Sequence, residues 1–387
     1  MKRASSPIKC IPLLFRLFFA GSVLFAQNTQ VVPPRFFDSA PAEHGDIRLV
    51  VCQPSTGSIK DLMALKEQGL FNFNNVTVIG VYHVKEKTDY TEAEKFVREN
   101  NLEWMKFHGV SAAIPIQDLF KKNACSAEFA EIFTKSDGLI FFGGPDIPPA
   151  VYKEKTNLLT IIEDPNRHFF ETSFIFHLLG GYQNESFKGF LESRPSYPVL
   201  GICLGAQSLN VGTGGSLTQD IWAQIYGKDN VEDIIALGPD QWHTNPYDLL
   251  YPDLKLYSIR MHPILLSADG KFCRELGFSP SDRPLIYSAH HQQVKRPGKG
   301  FQVIATSLDG KVAEAIEHEK YPNVLGVQFH PESTRLWDAS VRHKMAPEDK
   351  EPISLKSILD QNPPSLEFHK KLWGWFNAKL REEAKKR

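Results

Sequence analysis

The chain has 387 residues, 42% of them hydrophobic and 11% aromatic, enough to bury a large globular core. Its 44 Lys and Arg nearly balance 45 Asp and Glu, giving a formal charge of -1, and no basic run lies outside the two ends. That balance excludes the basic footprint of a nucleic-acid-binding surface.

The first 26 residues differ from the rest. Lys2, Arg3 and Lys9 precede the apolar run IPLLFRLFFAGSVLFA, and Ala26-Gln27 offers a cleavage point. This is the layout of a secretory signal peptide, although Arg16 interrupts the run and Leu24 stands where a small residue is usual. Export to the periplasm or the medium is expected, with the cytoplasm as the location if the segment is not a leader. No other stretch is long and apolar enough to cross a bilayer, so no stable span is expected after processing.

Downstream, strands and helices alternate. DIRLVVCQ (46–53) reads as a buried strand, SIKDLMALKEQGLF as a helix and NVTVIGVYHV as a second strand. TEAEKFVREN is a helix with Thr91 and Glu94 at capping-box spacing. SAEFAEIFTKSDG is a further helix and LIFFGG a strand; FETSFIFHLLGG is a helix stopped by glycines, and PVLGI a strand. Such alternation predicts an α/β fold, a mainly parallel sheet with helices on both faces. The last third changes character. FQVIATSLDGKVAEAIEH reads as a hairpin about Asp309-Gly310, followed by the strand NVLGVQF. The stretch 337–364 reads as loose. A final helix puts Leu366, Trp373, Phe376 and Leu380 on one face, with Ser365 able to cap it. One domain over 27–387 is the simplest division, with its core at 45–335 and a C-terminal extension at 336–387.

The first residue with chemistry is Cys203, in PVLGICLGAQSLNV, with Gly201 two before it and Gly205 two after. A nucleophile on a sharp strand-to-helix turn needs small neighbours there, because larger side chains would collide across the turn. The turn also places the sulfur at a helix N-terminus, which favours thiolate. The competing reading is a core cysteine in a glycine-rich turn. A thiolate nucleophile needs a base, and the base an orienter. In GVQFHPES, His330 and Glu332 stand two residues apart after an apolar strand, so an extended chain points them to one side. His243, His262 and the pair His290-His291 are the rival histidines. FFGGPDIPP (141–149) runs a strand into a glycine loop that can offer the N–H of Gly144 to an oxyanion, with the N–H of Leu204 as second donor. Cys52 reads as a small buried hydrophobe, and pairing of Cys125 with Cys273 stays open. No CxxC and no Cys/His cluster of zinc spacing occurs, so no metal ligand is assigned.

Together, GICLGAQSLNVGTGGSLTQD, GVQFHPE, LIFFGGPDIPPAVY and SAHHQQ resemble the γ-glutamyl hydrolase family. This is the branch of the class I glutamine amidotransferase-like proteins that includes γ-glutamyl-GABA hydrolases. The resemblance spans residues 135–335. It implies a flavodoxin-like α/β sheet and a Cys203-His330-Glu332 triad. It implies hydrolysis of an amide at the γ-carboxyl of a small glutamyl substrate through a thioester, without metal or organic cofactor. It further implies that Gln207, His290, His291 and Gln292 lie near the substrate. Leu204 stands where GABA-type enzymes often have Arg, and Arg167-His168 where they tend to have Arg-Asp, so the amine side of the substrate stays open. Two other readings remain: the glutaminase subunit of an amidotransferase, and a ligand-binding relative without activity.

Overall fold

The computed structural model describes residues 33–39 and 45–387; the expected leader at 1–26 lies outside them. The strands are β1 (Ile47–Cys52), β2 (Val76–His83), β3 (Met105–Val110), β4 (Gly138–Phe141), β5 (Val199–Ile202) and β6 (Ser216–Thr218). They continue with β7 (Arg260–Leu266), β8 (Leu285–Ser288), β9 (Gln293–Arg296), β10 (Phe301–Ser307), β11 (Ala313–His318) and β12 (Val324–Val327). Ten strands form one sheet in the order β3-β2-β1-β4-β5-β12-β11-β10-β7-β8, while β6 pairs with β9. Neighbours are parallel from β3 to β12 and antiparallel from β12 to β8. The expected α/β class and parallel centre are present. The first five strands run β3-β2-β1-β4-β5, a doubly wound order that reverses between β1 and β4, whereas the flavodoxin order is 2-1-3-4-5.

Both faces of the parallel half are covered. Along β1, Ile47, Leu49 and Val51 join one core, with Leu62, Leu65, Trp373, Phe376 and Leu380. Val50 and Cys52 join the other, with Phe129, Phe170, Phe174 and Leu209. The period of two places alternate residues on opposite faces, and cover on both explains why the whole strand is apolar. The helix Thr56–Glu67 starts where Ser55 Oγ accepts the N–H of Ser58, and buries Ile59, Leu62 and Leu65. Asp164 and Pro165 open the helix Pro165–Leu179, and Gly180 at φ 71° ends it.

Several local expectations need correction. Asp89 caps the helix Tyr90–Glu99 by accepting from Thr91 N–H, so Thr91 lies inside the first turn. Asn362 caps the last helix, Pro363–Ala384, and Ser365 is its N–H donor at 3.2 Å. The 337–364 stretch contains the helix Leu355–Asp360, capped by Ser354. Cys125 and Cys273 do not pair: Cys52, Cys125, Cys203 and Cys273 are all free thiols. The β10–β11 hairpin turns at Gly310 as expected, with φ 75°. Ala313 pairs with Thr306 and Ala315 with Ala305, which leaves Glu314 as the extra residue of a β-bulge. None of the described helices is long and apolar enough to cross a membrane.

Candidate active site

The chain leaves β5 through a forced turn. Cys203 has φ 52° and ψ −107°, costly for a residue with a Cβ. Its N–H donates to Val327 O on β12 at 2.8 Å, and it opens the elbow helix Leu204–Gly212. A Cβ on Gly201 would lie 2.6 Å from the carbonyl carbon and oxygen of Gly205. One on Gly205 would lie 2.1 Å from the carbonyl oxygen of Phe141 on β4. The first glycine is therefore required across the turn, and the second by the neighbouring strand.

His330 follows β12. Its N–H donates to Tyr287 O at 3.0 Å, and its ring meets Tyr287 edge-on at 5.5 Å. Its Nδ1 lies 2.8 Å from Glu332 Oε1, and the ring reaches the Cys203 thiol. Burial opposes a charged imidazole here, yet the Glu332 carboxylate and the Cys203 sulfur raise its pKa well above the ordinary 6.5. An imidazolium beside a sulfur favours thiolate. The peptide between base and carboxylate is also fixed. The indole N–H groups of Trp337 and Trp373 both donate to Pro331 O, at 3.2 and 3.0 Å.

The glycine loop after β4 closes the opposite side. A Cβ on Gly143 would lie 2.7 Å from His330 Cε1, and one on Gly144 would lie 3.1 Å from Leu204 Cδ2. Arg167 holds this loop, a role that sequence reasoning missed. Its Nη2 donates to Phe142 O at 2.9 Å and to Gly143 O at 3.0 Å. In a trans peptide the N–H points opposite to the C=O, so the N–H groups of Gly143 and Gly144 turn away from the guanidinium. Arg167 is buried and donates through Nε to Glu171 Oε1 at 2.8 Å; Glu171 Oε2 accepts from Ser208 Oγ of the elbow helix at 3.4 Å. One network thus joins the glycine loop to the elbow.

The residues expected near the substrate take different positions. Gln207 is buried, and its Nε2 donates to Gln292 O at 3.3 Å and to Gln328 Oε1 at 3.2 Å. Gln328, also missed from sequence, donates from Nε2 to Cys203 Sγ at 3.7 Å. Gln292 Nε2 donates to Gln219 O at 3.1 Å. His291 bridges Asp146 at 3.1 Å and Asp220 at 3.2 Å; burial works against its charge, but the two carboxylates raise its pKa to about 9. His290 belongs to a buried cluster with His243, His262 and Glu314.

A sulfur, a basic imidazole, an orienting carboxylate and a loop of turned-out N–H groups can together run acyl transfer. The model of the family described as Peptidase C26 matches residues 77–332, more than half of the chain and inclusive of Cys203, His330 and Glu332. The "Putative glutamine amidotransferase-like protein YvdE" of Lactococcus lactis subsp. lactis is 32% identical over 201 residues, 52% of this chain and 68% of its own. The "Putative glutamine amidotransferase Rv2859c" of Mycobacterium tuberculosis is 30% identical over 207 residues, 52% of this chain and 54% of its own. A solved structure titled "Crystal structure of glutamine amido transferase from Methylobacillus Flagellatus" covers 88% of this chain and 96% of its own, at 14% identity and a TM-score of 0.38. The family match and the sequence relatives support a cysteine-type hydrolase or amidotransferase-like activity, and the chain belongs to the peptidase C26 family.

Proposed function

We propose that the protein hydrolyses a γ-glutamyl amide through a thioester on Cys203. The observation that carries this reading is the meeting of Cys203, strained at φ 52°, with an imidazole whose Nδ1 is held 2.8 Å from Glu332. The thiolate attacks the γ-carbonyl carbon, forming a C–S bond while the π pair moves to oxygen. The N–H groups of Gly144 and Leu204 stabilise that oxyanion. Collapse breaks the C–N bond, and His330 gives its proton to the departing amine. Water then attacks the thioester and His330 takes a proton from it. The C–S bond breaks to release the γ-carboxyl group and restore the thiolate. Glu332 holds His330 in one orientation throughout.

A second reading is favoured by the names of the relatives: glutamine is the amide, and the freed ammonia passes to a partner synthase. Both readings share the acylation step. The deciding experiment is turnover of purified protein on a panel of γ-glutamyl amides that includes glutamine, measuring released amine. Turnover of at least one substituted amide, lost in Cys203→Ala, is the expected result. Turnover of glutamine alone would favour the second reading. Turnover that survives Cys203→Ala would reject both.

A further inference from the structure

Four side chains that the proposed chemistry does not use converge in the interior. His243 lies in the loop 242–245, His262 on β7, His290 between β8 and β9, and Glu314 in the bulge of β11. All four are buried, and their candidate ligand atoms lie within 4.8 Å of one another. His243 Nδ1 is 3.2 Å and His262 Nε2 3.7 Å from Glu314 Oε1, while His290 Nε2 is 3.4 Å from Oε2. None of these five atoms has a hydrogen-bond partner. Buried polar atoms left in this state are rare and need a reason.

The outward nitrogens supply it. His262 Nδ1 lies 3.1 Å from Pro263 O, and His290 Nδ1 lies 2.9 Å from Gln292 O. A carbonyl only accepts, so in each ring the single proton of the neutral imidazole sits outside and the lone pair of Nε2 faces inward. Two nitrogen lone pairs then confront a carboxylate, an arrangement that repels unless positive charge sits between them. A metal ion supplies that charge. Ligands at about 2.0–2.1 Å from a tetrahedral zinc stand about 3.3–3.4 Å apart, and the two nitrogens that face Oε1 stand 3.2 and 3.7 Å from it, on either side of that spacing. Two of the three imidazoles, His262 and His290, are braced from behind by carbonyl groups, the usual outer layer of such sites, while His243 Nε2 has no partner.

We propose that His243, His262, His290 and Glu314 form a closed N3O site for a zinc ion. Four protein ligands leave no open position, so the ion is structural. It clamps four separate segments and connects to the nucleophile through Gln328. The carbonyl of Glu314 accepts Gln328 N–H at 2.9 Å, and Gln328 reaches Cys203; Gln292 O receives both His290 Nδ1–H and Gln207 Nε2–H. The bulge that expels Glu314 from the regular ladder is what aims its carboxylate at the three rings. This site stands independently of the substrate assigned above.

The test uses the full chain without a polyhistidine tag, purified without chelator, incubated with zinc and desalted. Elemental analysis is expected to give about one zinc per chain, with a first shell of nitrogen and oxygen only by X-ray absorption. His262→Gln and Glu314→Gln are expected to bind at least about ten-fold more weakly, while Cys203→Ala keeps the metal. Stripping the wild type should lower its melting temperature, and zinc should restore it. If the variants do not fold, the absorption spectrum and the strip-and-restore cycle on wild type still decide. Failure of wild type to retain zinc, a sulfur in its first shell, or full zinc in both folded variants would overturn the proposal.

Discussion

Gly205 packs so closely on Phe141 that a Cβ added to the glycine would stand 2.1 Å from the carbonyl oxygen of the phenylalanine. That oxygen belongs to a central strand and cannot retreat. Gly205→Ala is therefore expected to destabilise by about 3 kcal/mol. Gly57→Ala is the contrast: its Cβ would meet only Ser55 Oγ, at 3.6 Å, in a first helical turn, so a gain of about 0.4–1 kcal/mol is expected. Urea unfolding of both variants checks the pair.

Changing the base should cost more than changing its orienter. His330→Ala is expected to lower kcat by about 10³-fold or more on the best γ-glutamyl substrate. Glu332→Gln should lose less, and it carries a second signature. The carboxylate helps to raise the pKa of His330, so the active imidazolium persists well above the ordinary value. Its removal should move the alkaline limb of the kcat/KM profile to lower pH. An unmoved limb would exclude Glu332 as the orienting group.

Arg167 is expected to act as a positioning residue. Lysine has one nitrogen and cannot serve Phe142 O and Gly143 O while also meeting Glu171, as Nη2 and Nε of Arg167 do, so Arg167→Lys should lower kcat by about 10²-fold with little change in KM. Glu171→Gln leaves a buried guanidinium without its counter-charge and is expected to cost about 3–5 kcal/mol. Steady-state kinetics and denaturant unfolding separate the two effects; unaltered kcat in Arg167→Lys would show that the loop holds its shape unaided.

His291 predicts a pH window. Its pKa is raised on folding to about 9, so its stabilising contribution is complete below about pH 6.5 and disappears as pH rises through about 9. The stability gap between wild type and His291→Asn should be widest at about pH 6 to 6.5, narrow as pH rises past neutrality and close by about pH 9.5. A gap that stays constant would mean that the bridge between Asp146 and Asp220 carries no net charge-dependent energy.

The parts of the site that were legible are those encoded over short distances. Cys203 and its two glycines fall within five residues, and His330 and Glu332 are two apart at a strand end. The same period of two includes Gln328, two residues before His330, so the signal for that amide was present and unread. Arg167 and Glu171 carry the i,i+4 spacing of a helical pair, but only the tertiary fold shows that the arginine faces the glycine loop. The four residues of the buried cluster come from four segments, and no spacing rule joins them. Glu314 was further disguised because a bulge leaves no mark in AEAIEH.

The fold shows the same division. Apolar runs such as IRLVVC announced the central strands, buried on both faces. MKFHGV on the sheet edge mixes Lys, His and Gly and gave no strand signal, and RMHPILL has Pro263 inside a strand, which argues against the assignment until its position near the antiparallel edge is known. The displaced caps at Asp89 and Asn362 are choices between nearby polar residues, which only backbone geometry decides.

The carbonyl of Pro331 is shared by two indoles, and one of them, Trp373, belongs to the helix Pro363–Ala384. Synthesis runs from Cys203 toward that helix. A nascent chain therefore displays its thiol well before it owns the group that fixes the peptide joining His330 to Glu332. The order of translation sets an order of competence: the sulfur emerges first, the imidazole later, and the brace that holds the imidazole's peptide last. A polypeptide stalled before residue 363 would carry every side chain of the triad and still lack one of the two donors that keep them in register.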